Sequence, residues 1–147
     1  VTVLESHNLI VDACSTLLAA LMKGEENIVG ITYWENGSGL AAWDTTLPDP
    51  EASDVALTTP LYRKAITAED IVYLTPQNTE SPTRTSKIQI TVSFSSLESN
   101  GDLREFAIWG GNATTSLGTG IMIDRKTHGL ITKNSEISLT RILRLQF

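Results

Sequence analysis

Between Asn8 and Lys23 the apolar residues Ile10, Cys14, Leu17, Leu18 and Leu21 recur at three- and four-residue spacing, the period of an amphipathic helix. Asn8 or Ser6 is placed to cap its start, Asp12 suits its first turn, Lys23 its last, and Gly24 its end. The opposite side, with Ala13, Ser15, Thr16, Ala19 and Ala20, is small and nearly uncharged. That side suits close packing against a second partner, such as another copy of the chain.

Beyond Gly24 the pattern changes to short extended runs. Ile28 to Trp34 reads as a strand that runs into a flexible turn, Glu35-Asn36-Gly37-Ser38-Gly39. Residues 43–60, "WDTTLPDPEASDVALTTP", hold three prolines and four acids and read as a long irregular loop, a length that goes with function or contact. "LYRKAI" is a short strand, 71–74 another, and 75–86 a polar loop. In "KIQITVSF" the residues Ile88, Ile90, Val92 and Phe94 alternate with polar ones, giving one buried and one wet face. Asn100-Gly101 then predicts a turn and an antiparallel hairpin with the strand from Leu103 to Trp109. Ile121 to Arg125 is a further strand. The last run, "EISLTRILRLQF", puts Ile137, Leu139, Leu143, Leu145 and Phe147 on one face, with Arg141 the single intruder and the terminus expected to be paired or packed. The expected fold is mainly β with one N-terminal α-helix, in antiparallel, sandwich-like sheets. One domain is expected over residues 1–147, a helical segment to residue 24 and a β-rich body from 25 to 147, since 147 residues can bury a core without metal or disulfides.

Charge narrows the functional classes. A net charge of -6 disfavours a phosphate-backbone partner, because such binding needs clustered Lys and Arg. The apolar stretch around residues 9–22 is interrupted by Asp12, Ser15 and Thr16, so neither membrane insertion nor a signal peptide is expected. A single cysteine, Cys14, rules out an intrachain disulfide and reads as a small buried hydrophobe.

Catalytic chemistry finds little support. His7 and His128, the latter read as a turn residue beside Gly129, lack the spacing of a metal pair. No serine sits in a nucleophile elbow, and "GSG" at 37–39 lacks the lysine of a phosphate loop. Asp44, Asp49, Glu51 and Asp54 lack the alternating ligands and central glycine of a calcium loop. No enzyme, cofactor or metal is therefore expected. Trp34 and Trp109 read as core or interface residues, whereas Trp43, with Asp44 and Asp49, is the candidate ligand-facing group. Arg63, Arg104 and Arg141 lie in or beside apolar strands and each needs a partner. Glu105 follows Arg104 directly, so the two point to opposite sheet faces, and each must bond to another segment or subunit.

The order of these features resembles a known family. A Leu- and Ala-rich helix precedes a strand and Gly-x-Gly turn, "YWENGSG"; an acidic loop then leads into "SDVALTTPLYRKAI", followed by the strand "LREFAIWGG". Over about residues 8–111 this is similar to the N-terminal collar domain of phage tail fibres, and more broadly to small tail and baseplate proteins of contractile-tailed phages and related injection particles. "GTGIMIDRKTH" and "LTRILRLQF" fit the same class. The resemblance implies a virion protein, made in the host cytoplasm, connecting baseplate and fibres. Its partners would be other tail, baseplate or fibre proteins and copies of itself, with a trimer favoured. Because the sequence stops at Phe147 without a shaft, a stand-alone adaptor is expected. Arg104 and Glu105 would fix a sheet corner through Arg63, with Trp109 packed at an edge. The alternative is a carbohydrate- or receptor-binding module at the tail tip, using Trp43, Asp44 and Asp49.

Overall fold

The computed structural model describes residues 8–147. His7 and Ser6, the latter a possible cap, lie outside them. The elements run β1 (Leu9–Ile10), α1 (Ala13–Lys23), β2 (Val29–Gly37), β3 (Pro60–Ala65), β4 (Ile71–Tyr73), β5 (Lys87–Phe94), β6 (Gly101–Gly111), β7 (Ile121–Lys133) and β8 (Leu139–Gln146), with single 3-10 turns at Ala41–Asp44 and Ala68–Asp70. Two antiparallel sheets form, one of five strands in the order β1-β7-β6-β2-β3 and one of three in the order β4-β5-β8. The fold is mainly β with one helix.

The sheets meet through one buried cluster. Trp34, Phe106, Ile108 and Ile123 of the large sheet pack with Ile90, Val92, Phe94, Leu143 and Leu145 of the small one, and Cys14 and Leu17 of α1 close it. The alternation in β5 and β8 supplies the small sheet's inner face directly, with Ile90 opposite Leu143 and Val92 opposite Arg141. Trp34 and Phe106 stack with centroids 4.6 Å apart. The other face of the large sheet carries a second cluster, Ala107, Trp109 and Met122 with Val11 and Leu57. Leu57 belongs to the segment 38–59, so that loop covers the outer face.

Several elements differ from the sequence expectation. The helix begins at Ala13 rather than Asn8, because Leu9 and Ile10 spend their backbone on a ladder with Arg125 and Asp124. Asn8 does not cap the helix; its Nδ2 donates to Asp124 Oδ2 at 2.7 Å. Only Cys14 and Leu17 of the helix are buried, while Leu18 and Leu21 stay 46% and 38% exposed. Gly24 ends the helix at φ 73°, the left-handed conformation glycine adopts without steric cost. Glu35, Asn36 and Gly37 are not a turn. They continue β2, flanked by β3 and β6, and the chain turns only after Gly37. β5 and β6 do not form a hairpin, since they belong to different sheets. The crossing between them is tied by Lys133, whose Nζ donates to Ser95 O and Asn100 Oδ1 at 2.7 and 2.8 Å. β7 extends through His128, which is 6% exposed in mid-strand and not in a turn. At the end of the chain Ile137 precedes β8, and Phe147 is 53% exposed although its N–H donates to Ser86 O at 2.9 Å.

Phe94 is fully buried and Leu97, three residues on, is 83% exposed. Phe94→Ala should therefore cost about 3–5 kcal/mol in urea denaturation, and Leu97→Ala less than about 0.5 kcal/mol.

Candidate functional site

The outer face of the large sheet carries charge that the loops satisfy. β6 alternates so that Glu105, Ala107 and Trp109 face outward, and β2 and β7 add Glu35 and Arg125 beside them. Glu105 is fully buried. Its Oε1 accepts the Thr59 N–H at 2.7 Å, and its Oε2 accepts the Thr58 N–H at 3.1 Å and Arg125 Nη2 at 2.8 Å. Arg125 also donates Nη1 to Asp54 Oδ2 at 2.7 Å and Nη2 to Thr58 Oγ1 at 3.0 Å. Burial works against the Arg125 charge, but the bonds to Glu105 and Asp54 outweigh it and hold its pKa above the usual value. Gly37 leaves room for this arrangement: a Cβ there would lie 2.6 Å from Glu105 Cγ.

Two further nodes flank the first. Arg63 donates Nε to Glu35 Oε2 at 2.8 Å, and its Nη1 donates to Thr114 O, Thr119 O and Thr119 Oγ1 at 2.8–3.0 Å. Gly118 N–H reaches the same Glu35 oxygen at 2.9 Å, so the loop 112–120 is pinned to the sheet. The Arg63 guanidinium lies over the rings of Trp109 and Tyr33, 5.0 and 5.3 Å from their centroids. Arg104 grips Asp44 with two parallel bonds, Nε to Oδ1 at 2.8 Å and Nη2 to Oδ2 at 2.9 Å, and donates Nη1 to Ser38 O at 3.0 Å. The Arg104 hydrogen bond holds the Asp44 carboxyl below its usual range.

The expected partners are thus redistributed. Arg104 and Glu105 do bond to different segments, but Glu105 pairs with Arg125 rather than acting through Arg63, and Arg63 pairs with Glu35. Trp109 is 1% exposed in the outer cluster. Trp43 is half-buried, its ring against Gly39, where a Cβ would lie 2.5 Å from the indole. Asp44 is engaged by Arg104, and Asp49 is exposed in the loop without being drawn to either. The sequence reading missed Glu35, Asp54 and Arg125. Glu35 was hidden in an apparent turn, and an Arg in the run "MIDRK" gives no sign of which acid it meets.

Inside the sandwich lies a different polar set. Arg141, 8% exposed, donates Nη1 and Nη2 to His128 Nε2 at 3.1 and 3.2 Å, and its guanidinium sits 5.0 Å from the Phe106 centroid. His128 Nδ1–H donates to Gly129 O at 2.7 Å, so the ring is neutral with Nε2 as acceptor. Burial, then the Arg141 charge, pushes His128 down to about 4. Asp124 is fully buried, and burial pushes its carboxyl up to about 7 against the Asn8 bond and the Lys126 charge. Burial, with a smaller contribution from Asp124, raises the Cys14 thiol and keeps it inert. Among the described residues no cluster of His, Cys, Asp and Glu could hold a metal ion, and no helix is long and apolar enough to cross a membrane.

Removing Arg125 strands a buried carboxylate. Arg125→Met should cost about 3–5 kcal/mol in urea denaturation, and adding Glu105→Leu should restore part of it. The interior groups give opposed pH effects. His128 binds its proton more weakly when folded, so it lowers stability as pH falls from about 6.5 to 4; Asp124 binds its proton more strongly when folded, so it raises stability as pH falls from about 7 to 4. Each is worth up to about 3–4 kcal/mol. Asp124→Asn should therefore gain stability at pH 8 and lose it steeply between pH 6.5 and 4, measured by chemical denaturation across pH.

No protein-family model matches this sequence, and no curated protein matches it.

Proposed function

We propose that this chain is a non-enzymatic structural protein of a phage tail, an adaptor between baseplate and fibres that works as an oligomer. One observation carries the reading. The loop 38–59 is held to the sheet by Arg104, Glu105 and Arg125, yet it leaves Leu40, Leu47 and Val55 exposed at 49%, 41% and 68%. A loop anchored by ion pairs and by hydrogen bonds to a buried carboxylate, while presenting apolar side chains, is a preorganised docking surface, since little conformational entropy remains to be lost on contact. Besides the helix, the segments that carry the resemblance to tail collars, "YWENGSG", "SDVALTTPLYRKAI" and "LREFAIWGG", overlap β2, β3 and β6, which are adjacent in one sheet. This adjacency supports reading them as one unit.

The carbohydrate-binding alternative relies on Trp43 and Asp44 together with Asp49, which stays exposed in the loop. Trp43 and Asp44 contact Gly39 and Arg104, which favours a role in anchoring the loop. In the adaptor reading, affinity comes from several copies engaging neighbours together, and single contacts can be weak.

The test is quantitative mass spectrometry of purified tailed particles that encode this chain, alongside a Val55→Asp variant. The chain should appear at a fixed low ratio to the tube protein, and the variant should fall at least about fivefold in incorporation while its melting temperature stays within a few degrees. Absence of the native chain from intact particles contradicts the reading.

A further inference from the structure

Among the described residues β8 lies at the edge of the three-stranded sheet and pairs only with β5. Phe147 N–H donates to Ser86 O, one step beyond the Lys87–Gln146 pair. Hydrogen-bonded and non-bonded pairs alternate along an antiparallel ladder, so the odd-numbered residues of β8 bond to β5. The N–H and C=O groups of Thr140, Ile142, Arg144 and Gln146 therefore point out of the sheet. Among the described residues none of these four has a backbone partner on that side. All four are exposed, Ile142 by 58%. A straight eight-residue edge without proline or bulge is a template for strand addition.

The charge on this edge selects the occupant. In a chain of net charge -6, the strand "LTRILRLQ" carries two arginines and no acid. Arg63, Arg104 and Arg125 all meet carboxylates. Among the described residues Arg141 and Arg144 do not: Arg141 reaches neutral His128 and the Phe106 ring, its buried Nε has no partner, and Arg144 Nε donates to Gln89 Oε1 at 3.0 Å. A buried guanidinium without an anion is costly. A strand added to β8 would place one inward side chain directly opposite Arg141, in a non-hydrogen-bonded pair with Cα atoms about 4.5 Å apart. A carboxylate there would satisfy Arg141, whereas a second β8, with two arginines and no acid, has none to offer it.

We infer that the free edge of β8 is an acceptor for an extended strand of another protein that carries an acidic residue opposite Arg141. The inference does not depend on the assignment to a tail particle. It is tested on the full chain with labelled octapeptides of alternating Thr and Val, bearing Glu, Gln or Lys at one central Val position, followed by amide NMR shifts and fluorescence anisotropy. The Glu peptide should shift the Thr140, Ile142, Arg144 and Gln146 amides saturably and bind at least about tenfold more tightly than the Lys peptide. Ile142→Pro removes an outward N–H while sparing the β5 ladder, and should abolish binding. Arg141→Met keeps the packing volume and should bind Glu and Lys peptides alike, which holds the test open if the proline variant fails to fold. Equal affinity of the native chain for the Glu and Lys peptides, or no saturable shift at these amides, overturns the inference. Concentration-dependent shifts at the same amides without peptide overturn it too, because the occupant would then be a second copy.

Discussion

The Glu105–Arg125 pair is the constraint on which the outer half of the structure depends. A fully buried carboxylate in the middle of an apolar strand is tolerable only with its charge met. Here it meets one guanidinium and two backbone N–H groups. Those two N–H groups belong to Thr58 and Thr59, so the act of satisfying the carboxylate fixes where the loop 38–59 re-enters β3. Asp54, on the other end of Arg125, fixes the loop one turn earlier. The apolar seal of Leu57 over Ala107 and Trp109 follows from this placement.

The same logic is repeated with different loops. Glu35 and Arg63 hold the segment 112–120, and Arg104 with Asp44 holds the start of 38–59. Each node joins a strand residue to a loop far away in sequence, so the loops are fixed at both ends by groups the sheet must satisfy anyway. The interior set of Arg141, His128 and Asp124 is independent of these clamps, since it lies on the other face of the large sheet or across from it.

Much of the frame was legible in the sequence because it is written in local periodicity. The alternation Ile88-Ile90-Val92-Phe94 and the run Leu139-Arg141-Leu143-Leu145 set the faces of β5 and β8, and Gly24 marked the helix end. What failed was non-local. Asn36-Gly37 looks like a turn from its own residues, but Glu35, Asn36 and Gly37 are held extended by strands on both sides. Asn100-Gly101 is not the turn either: the chain turns at Ser95–Glu98, Gly101 already pairs with Lys133, and β6 finds β2 and β7 rather than β5. His128 beside Gly129 was indistinguishable from a loop residue. The need for partners at Arg63, Arg104 and Glu105 was visible in their apolar surroundings. Their identities were not, since each lies tens of residues away and its choice is made by the assembled sheet.

The most direct measurement is native-state hydrogen exchange at the Thr58 and Thr59 amides. These N–H groups sit in a segment without regular structure, where exchange is ordinarily fast. If the buried Glu105 clamps the loop, both amides should exchange only through large-scale opening, with protection close to that of β6. Exchange at the rate of a solvated loop would contradict the account, because the loop would then lack the anchoring that the proposed docking surface requires.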